Sequence, residues 1–346
     1  MIQRLLTVIF LSGFCMSPMH GQTGGTSVYR LLNLAGNARF AALGGSSYAA
    51  FGNDPSAGFQ NPASIHPGTA SKLSMNAASH LAGIRYGYLA YGHDWGKWGT
   101  WAAGIQYLDY GDFIEANEFG EITGSFSAAE YTFTLSGSWA IDSLFRIGVN
   151  LRPVYSVLER YQSFGVSSDA ALLYQSRNLR TTASVGMRNL GKQLTTYYSP
   201  EPEPLPFEVM AGLSHKLQYA PFRIHASLRN LQQFYLRAPG EYEPQDRIFN
   251  SALWADARKE IVAALDHLSA GVEFIPGNLI SLRFSYNFLR RYELRPDRIN
   301  SASGFSFGAG LNMNWIRIDY ALVNYHFSAR THLMTACIDL NHFRKN

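Results

Sequence analysis

The sequence predicts an all-β protein: a transmembrane antiparallel β-barrel of about fourteen strands, with an N-terminal segment plugging its lumen. Three observations lead there. Apolar and polar residues alternate with period two along most of the chain. The alternating segments are long, about 10–13 residues, where soluble strands centre near 5–6 and a tilted membrane strand needs about 9–11. The connections between them alternate in length.

Composition sets the frame. Of 346 residues 47% are hydrophobic and 14% aromatic, but only 16% are charged, against about 25% in ordinary soluble domains. A chain so rich in large apolar groups does not stay disordered. Mean hydropathy is −0.11, and there is no apolar run of the roughly 18 residues that a spanning helix requires. The net charge of +4 is mild, and no basic run occurs, so nucleic acid is not expected as a partner.

Residues 1–21 read as a secretory signal peptide. Arg4 supplies the positive start, Leu5 to Phe14 the apolar stretch, and Gly21 a small residue before Gln22. Cys15 follows the bulky Phe14, which argues against a lipoprotein signal. With the signal removed, Cys337 is the lone cysteine, so no internal disulfide is expected and it reads as a small packing residue.

From residue 71 to 346 the pattern is that of strands. Phe207, Val209, Ala211 and Leu213 alternate with Glu208, Met210, Gly212 and Ser214. Phe222, Ile224, Ala226 and Leu228 alternate with Arg223, His225, Ser227 and Arg229. Successive side chains of a strand face opposite sides, so each segment has a greasy face and a polar one. The polar faces carry Arg146, Arg152, Arg223, Arg229, Arg283, Arg317 and Asp319, which a small dry core would hold only at a cost of several kcal/mol each when unpaired. A polar barrel lumen tolerates them, with Glu208, Glu273 and Asp319 available as partners. Aromatics near segment ends (Tyr91, Trp95, Trp98, Trp101, Trp139, Trp315, Tyr325) suit the girdles of a membrane barrel.

The segments expected as strands are 73–79, 83–93, 97–110, 127–140, 144–157, 163–175, 179–190, 206–218, 222–234, 266–275, 279–292, 303–312, 315–325 and 332–343. Short connections such as Asp94-Trp95-Gly96 and Pro276-Gly277-Asn278 alternate with long ones such as 111–126, 191–205 and 235–265, the connection after the first strand excepted. That asymmetry, with an even strand number, places both termini on the periplasmic side of an outer membrane. Leu253, Ala257, Ile261 and Leu265 stand at helical spacing within the loop 235–265, which predicts a short amphipathic helix packed on the barrel or its mouth.

Residues 22–70 lack alternation and are rich in turn formers, among them Asn53-Asp54-Pro55 and Asn61-Pro62-Ala63. A fourteen-stranded barrel has room for such a segment. Its sequence carries a family resemblance. Gly24-Gly25, Tyr29, Leu32 and Leu34, Ala38-Arg39, Leu43-Gly44-Gly45 and then Asn61-Pro62-Ala63 resemble the PorV/PorQ group of FadL-like barrels, outer-membrane components of the type IX secretion system of Bacteroidota. Gly271-Val-Glu273-Phe274, Ser285-Tyr286-Asn287 and Arg290-Arg291 add to it. Ala35 and Asn37 depart from the group's usual Pro and Ser, and Gln60, where PorV-type members carry Trp, makes PorQ-type members the closer match. The resemblance implies a non-enzymatic barrel of the cell-surface attachment (sortase) complex, with PorZ, PorU and PorV-like proteins as partners and membrane lipid or lipopolysaccharide alongside. That complex couples secreted cargo to lipopolysaccharide.

No hydrolase elbow, P-loop or zinc-protease helix is present, so no catalytic, cofactor-binding or metal-binding residue is expected. His326 and His332 flank an expected outer loop, where a metal site is not expected, and His225 reads as a hydrogen-bonded wall residue. The alternative function is a FadL-type outer-membrane transporter of hydrophobic small molecules. It requires an apolar lumen pocket and a gap in the wall, for which Gly83, Gly87, Gly92, Gly99 and Gly104 would supply a kink. The competing reading of these glycines is close packing against the plug.

Overall fold

The computed structural model describes residues 27–45, 47–80, 83–198, 200–237, 252–293, 302–324 and 330–344, the side chains of 252–258 excepted. The expected signal peptide, Cys15, Tyr325 and His326 lie outside the described residues.

Fourteen strands form one closed barrel. They are Lys72–Ser79 (β1), Arg85–Asp94 (β2), Thr100–Ala116 (β3), Ile122–Ala140 (β4), Phe145–Leu158 (β5), Tyr161–Gln175 (β6), Thr181–Thr195 (β7), Glu208–Lys216 (β8), Phe222–Leu228 (β9), Leu268–Phe274 (β10), Ile280–Asn287 (β11), Phe305–Asn312 (β12), Ile316–Asn324 (β13) and Arg330–Asp339 (β14). Each pairs antiparallel with the next, and β1 closes onto β14 from Lys72↔Asp339 to Ser79↔His332. Closure leaves no sheet edge for lipid, which satisfies no backbone group. Only short turns join strands at one end of the barrel (the turn end); the other (the loop end) has the long connections 196–207, 229–267 and 288–304, but also short ones at 80–84, 117–121 and 159–160, the last of which is shorter than expected. At one short turn the Leu144 and Phe145 amides both donate to Asp142 Oδ1 at 2.7 Å, which holds that exposed carboxyl below its ordinary range.

Alternation sorts the wall into two surfaces. Outward positions of β3 run Trp101, Ala103, Ile105, Tyr107 and then Asp109, where the apolar belt stops. Leu89, Ile105, Phe133, Val149 and Leu282 are all exposed, a surface that suits hydrocarbon rather than water. Trp95, Trp101 and Trp139 cluster at the turn end, with ring centroids 5.9 Å (tilted) and 5.4 Å (edge-to-face) apart, and Tyr107 and Tyr131 pair toward the loop end at 5.1 Å. Inward positions are small or polar, as in Thr132, Thr134, Ser136 and Ser138 of β4, all buried.

Five stretches depart from the expected elements: residues 191–195, expected as loop, extend β7, residues 341–343, expected as strand, fall in the short helix Asn341–Arg344, and three more follow. Residues 111–126, expected as a loop, extend β3 and β4 into a two-stranded ribbon. β2 leaves β3 at Asp109 and β5 leaves β4 at Ala128, so the ribbon beyond has no ladder partner on either edge. A register shift between Asp109 and Asp112 sets it apart from the wall. Residues 229–234, expected as strand, are not: β9 stops at Leu228, Asn230 takes φ 54°, and the Gln232 side chain accepts from the Val209 amide where a ladder would continue. Residues 288–292, also expected as strand, fall in a helix, Phe288–Glu293.

The helix expected within 235–265 is present as Ala252–Asp266. Arg237 ties it down, pairing with Asp266 at 2.6 Å while its guanidinium lies 3.3 Å from the Tyr292 ring centroid.

Candidate functional site: the lumen and its N-terminal segment

The described residues between 27 and 70, folded as short turns that their own sequence nucleates, contact inward-facing positions of the wall. Asp54 and Asn61 each precede a proline and accept from the amides of Ser56 (2.9 Å) and Ala63 (3.0 Å), which starts the turns Pro55–Phe59 and Pro62–Ser64. Fixed proline φ and a side-chain cap favour these tight turns. Asn37 caps the helix Ala38–Ala42 by accepting from the Phe40 amide at 2.8 Å.

The segment is bonded to the wall around much of its circumference. Tyr29 Oη lies 2.6 Å from Ser163 Oγ on β6, and the Leu31 amide donates to Glu130 Oε2 on β4 at 3.0 Å. Arg188 on β7 donates to the Leu32 carbonyl (2.9 Å), and the Ala38 amide donates to Thr335 on β14 (2.9 Å). Ser285 on β11 donates to the Ala42 carbonyl (2.8 Å). Asn61 donates to Ser184 on β7 (2.8 Å), and Asn150 on β5 donates to the Gly58 carbonyl (2.8 Å). Where no bond is made, the wall gives way to the segment. A Cβ on Gly148 would stand 2.3 Å from the Pro62–Ala63 backbone, and one on Gly104 would stand 2.5 Å from the Phe59 ring.

Charged groups complete the interface. Arg39 reaches Glu273 on β10 with two bonds, 2.9 and 2.7 Å. Arg283 on β11 lies between Glu273 and Asp319, 2.8 Å from each, and Arg317 pairs with Asp319 at 2.7 Å. His225 is wedged between Glu273 (3.0 Å) and Ser47 (3.2 Å). Arg152 pairs with Asp169 at 2.7 Å, and Arg229 pairs with Glu208 at 2.5 Å. Arg146 reaches only the Ser138 hydroxyl, at 3.4 Å, and Arg223 has no carboxylate within 4.0 Å among the described residues. Sequence reading passed over Asp169, Glu130, Arg188 and Asn150; they share an inward face with Ser167, Thr132, Gly186 and Arg152 respectively, and that period of two was the signal for them.

The described N-terminal residues that carry the family resemblance sit in this interface; Gly24 and Gly25 lie outside the described residues. Tyr29, Leu32, Ala38, Arg39 and Asn61 make the bonds above, while Pro62 and Ala63 fill the space left by Gly148. Leu34 packs beside Leu31, and Leu43 packs with Phe40. Gly44 and Gly45 place their carbonyls toward Asn287 and Gln60. At the turn end His66 stacks on Phe51, its ring centroid 4.3 Å away. Burial holds its imidazole down to about 4; the Ser64 carbonyl, 3.1 Å from Nδ1, opposes that shift, and Arg146 and Lys72 add to it.

Set against protein-family models and curated proteins, the sequence matches none. Among solved structures, a deltaS2 mutant of the TodX monoaromatic hydrocarbon channel is similar with a TM-score of 0.52 at 14% identity, over 88% of this chain and 97% of that one. A TodX deltaS2S3 mutant gives 0.50 at 13%, over 87% and 97%. A Pseudomonas aeruginosa FadL homologue gives 0.48 at 11%, over 88% and 98%. The chain has the barrel fold of the TodX channel structures, here with fourteen strands.

Proposed function

We propose that this barrel is a non-enzymatic scaffold of the outer membrane, anchoring the cell-surface attachment complex of a type IX secretion system as PorQ-like proteins do. The observation that carries the reading is the N-terminal segment, bonded to β4, β5, β6, β7, β10, β11 and β14 inside a closed barrel. A scaffold works with a filled lumen, whereas the transporter reading needs an apolar lumen pocket and a gap in the wall. In this reading the termini face the periplasm and the loop end faces outward. There the free ribbon offers Ile114 and Phe119, 70% and 83% exposed, among Asp112, Glu115, Glu118 and Glu121, with no Lys or Arg between residues 98 and 145. Exposed apolar side chains on an unpaired ribbon suit a protein partner, and the partners inferred are PorZ-, PorU- and PorV-like proteins, with lipopolysaccharide as the surrounding lipid. A clean deletion should leave cargo in the medium rather than on the cell, and mild-detergent purification should bring a large surface protein along. Normal cargo attachment in the deletion strain would sink this role.

A second reading is a FadL-type transporter of hydrophobic small molecules. The roles of the structural neighbours favour it, since TodX is a hydrocarbon channel. The packing of Gly104 against Phe59, and of Gly92 against the Thr69 carbonyl, favours the first, because those glycines fit the segment rather than a kink. Uptake of a monoaromatic hydrocarbon that falls on deletion would establish the second.

A further inference from the structure

At the turn end of the lumen a cavity of about 340 Å³ lies between the wall from β9 to β14 and the stretch 51–54 of the N-terminal segment. Arg39, Arg223, Arg283, Arg317 and Lys72 line it. The acids nearby are already engaged. Glu273 is shared by Arg39 and Arg283, and Asp319 by Arg283 and Arg317, so three guanidiniums divide two carboxylates. Asp54 accepts from the Ser56 amide, the Ser56 hydroxyl and Asn37, and Asp339 faces Lys72 at 3.8 Å. Arg223 is left over. Its Nε is buried with no hydrogen-bond partner, and its cross-strand neighbours are the committed Glu273 and another cation, Lys216.

Arg223 is half-buried, and an Nε donor held from water without an acceptor is destabilising. An oxyanion in the cavity removes that cost, because two oxygens match the guanidinium fork and the neighbouring arginines add field. We propose that this cavity is a binding site for an oxyanion group, a phosphate or carboxylate, held by Arg223 with Arg39 and Arg317 beside it. The turns around Gly277 and Asn314 form its rim, and Arg39 with the 51–54 stretch forms its floor. It is therefore a dead-end pocket rather than a passage through the barrel. The anion is either free in solution or the head of an amphiphile whose chain lies along Leu279 and Trp315 at the rim. The site stands under either reading of the function.

The test is calorimetric titration of the detergent-purified full chain at fixed ionic strength, with inorganic phosphate, succinate and a short-chain phosphatidic acid as separate probes and chloride as the control. Saturable binding of at least one probe is expected. Phosphate or succinate alone would indicate a free anion, and phosphatidic acid alone an amphiphile head. Arg223→Ala should weaken it about tenfold or more, the loss of a charge-assisted bond, while Arg85→Ala at the loop end leaves it unchanged. Because Arg223 makes no ion pair, Arg223→Ala in chloride should melt no lower than the parent, and the rise in Tm that the anion gives the parent should vanish. Absence of saturable binding with all three probes, equal binding by Arg223→Ala, or a lower Tm for that variant in chloride would overturn the proposal.

Discussion

The N-terminal segment meets the two sides of the barrel by different means. Against β4 to β7 it uses backbone groups and small side chains at close range: Gly58 and Asn61 meet Asn150 and Ser184, and the Pro62–Ala63 backbone occupies the place of a missing side chain at Gly148. Against β9 to β13 it makes such contacts too, at Ala42 and Tyr48, and adds a long cation, Arg39, set into a network of arginines and carboxylates with a cavity at its end. The first side specifies position by shape, where tenths of an ångström count. The second adds charge balance, which tolerates space but not an unpaired ion.

That contrast can be broken by substitution. Glu273→Gln removes the carboxylate shared by Arg39 and Arg283 and should cost the most, about 3–5 kcal/mol in urea unfolding, since it strands buried cations. Gly148→Ala places a methyl against backbone and should cost about 1–3 kcal/mol. Gly310→Ala on the charged side meets only the ends of Asp319, Ser281 and Arg283 and should cost less in the same assay; equal losses would erase the distinction between the two sides. Asn61→Ala removes a cap and a wall bond, about 1–2 kcal/mol.

The smallest effect expected is on pH dependence. His66 is neutral when folded, and its imidazole is held down to about 4 from an ordinary value of 6.5. Between these values the unfolded chain binds a proton that the folded chain does not. Its contribution is therefore complete above about pH 6.5 and is lost as pH falls toward 4. His66→Phe, which keeps a ring on Phe51, should flatten that part of the stability–pH curve; an unchanged slope would assign it to other groups.

Much of the wall was legible because membrane strands obey a period of two with one face in lipid, as Trp101, Ile105 and Tyr107 do. The ribbon beyond Asp109 was not legible, because water surrounds both its faces and Phe113, Ile114 and Glu115 need not alternate. The end of β9 escaped notice for a different reason: a side-chain amide, Gln232, stands in for a backbone ladder, and no local pattern announces that. In the lumen, an inward arginine could be read one strand at a time, but its partner could not. Tyr29 and Ser163 meet across 134 residues, and Arg39 and Glu273 across 234. Closure of the barrel, rather than any local preference, brings them together.

The central proposal is that a segment bonded around the lumen of a closed barrel makes this protein a scaffold. Its most direct test is the entry of a labelled monoaromatic hydrocarbon into cells carrying the intact gene, a clean deletion, or the deletion complemented in trans. The account predicts equal rates in all three. A rate that falls on deletion and returns on complementation would contradict it and make the protein a transporter.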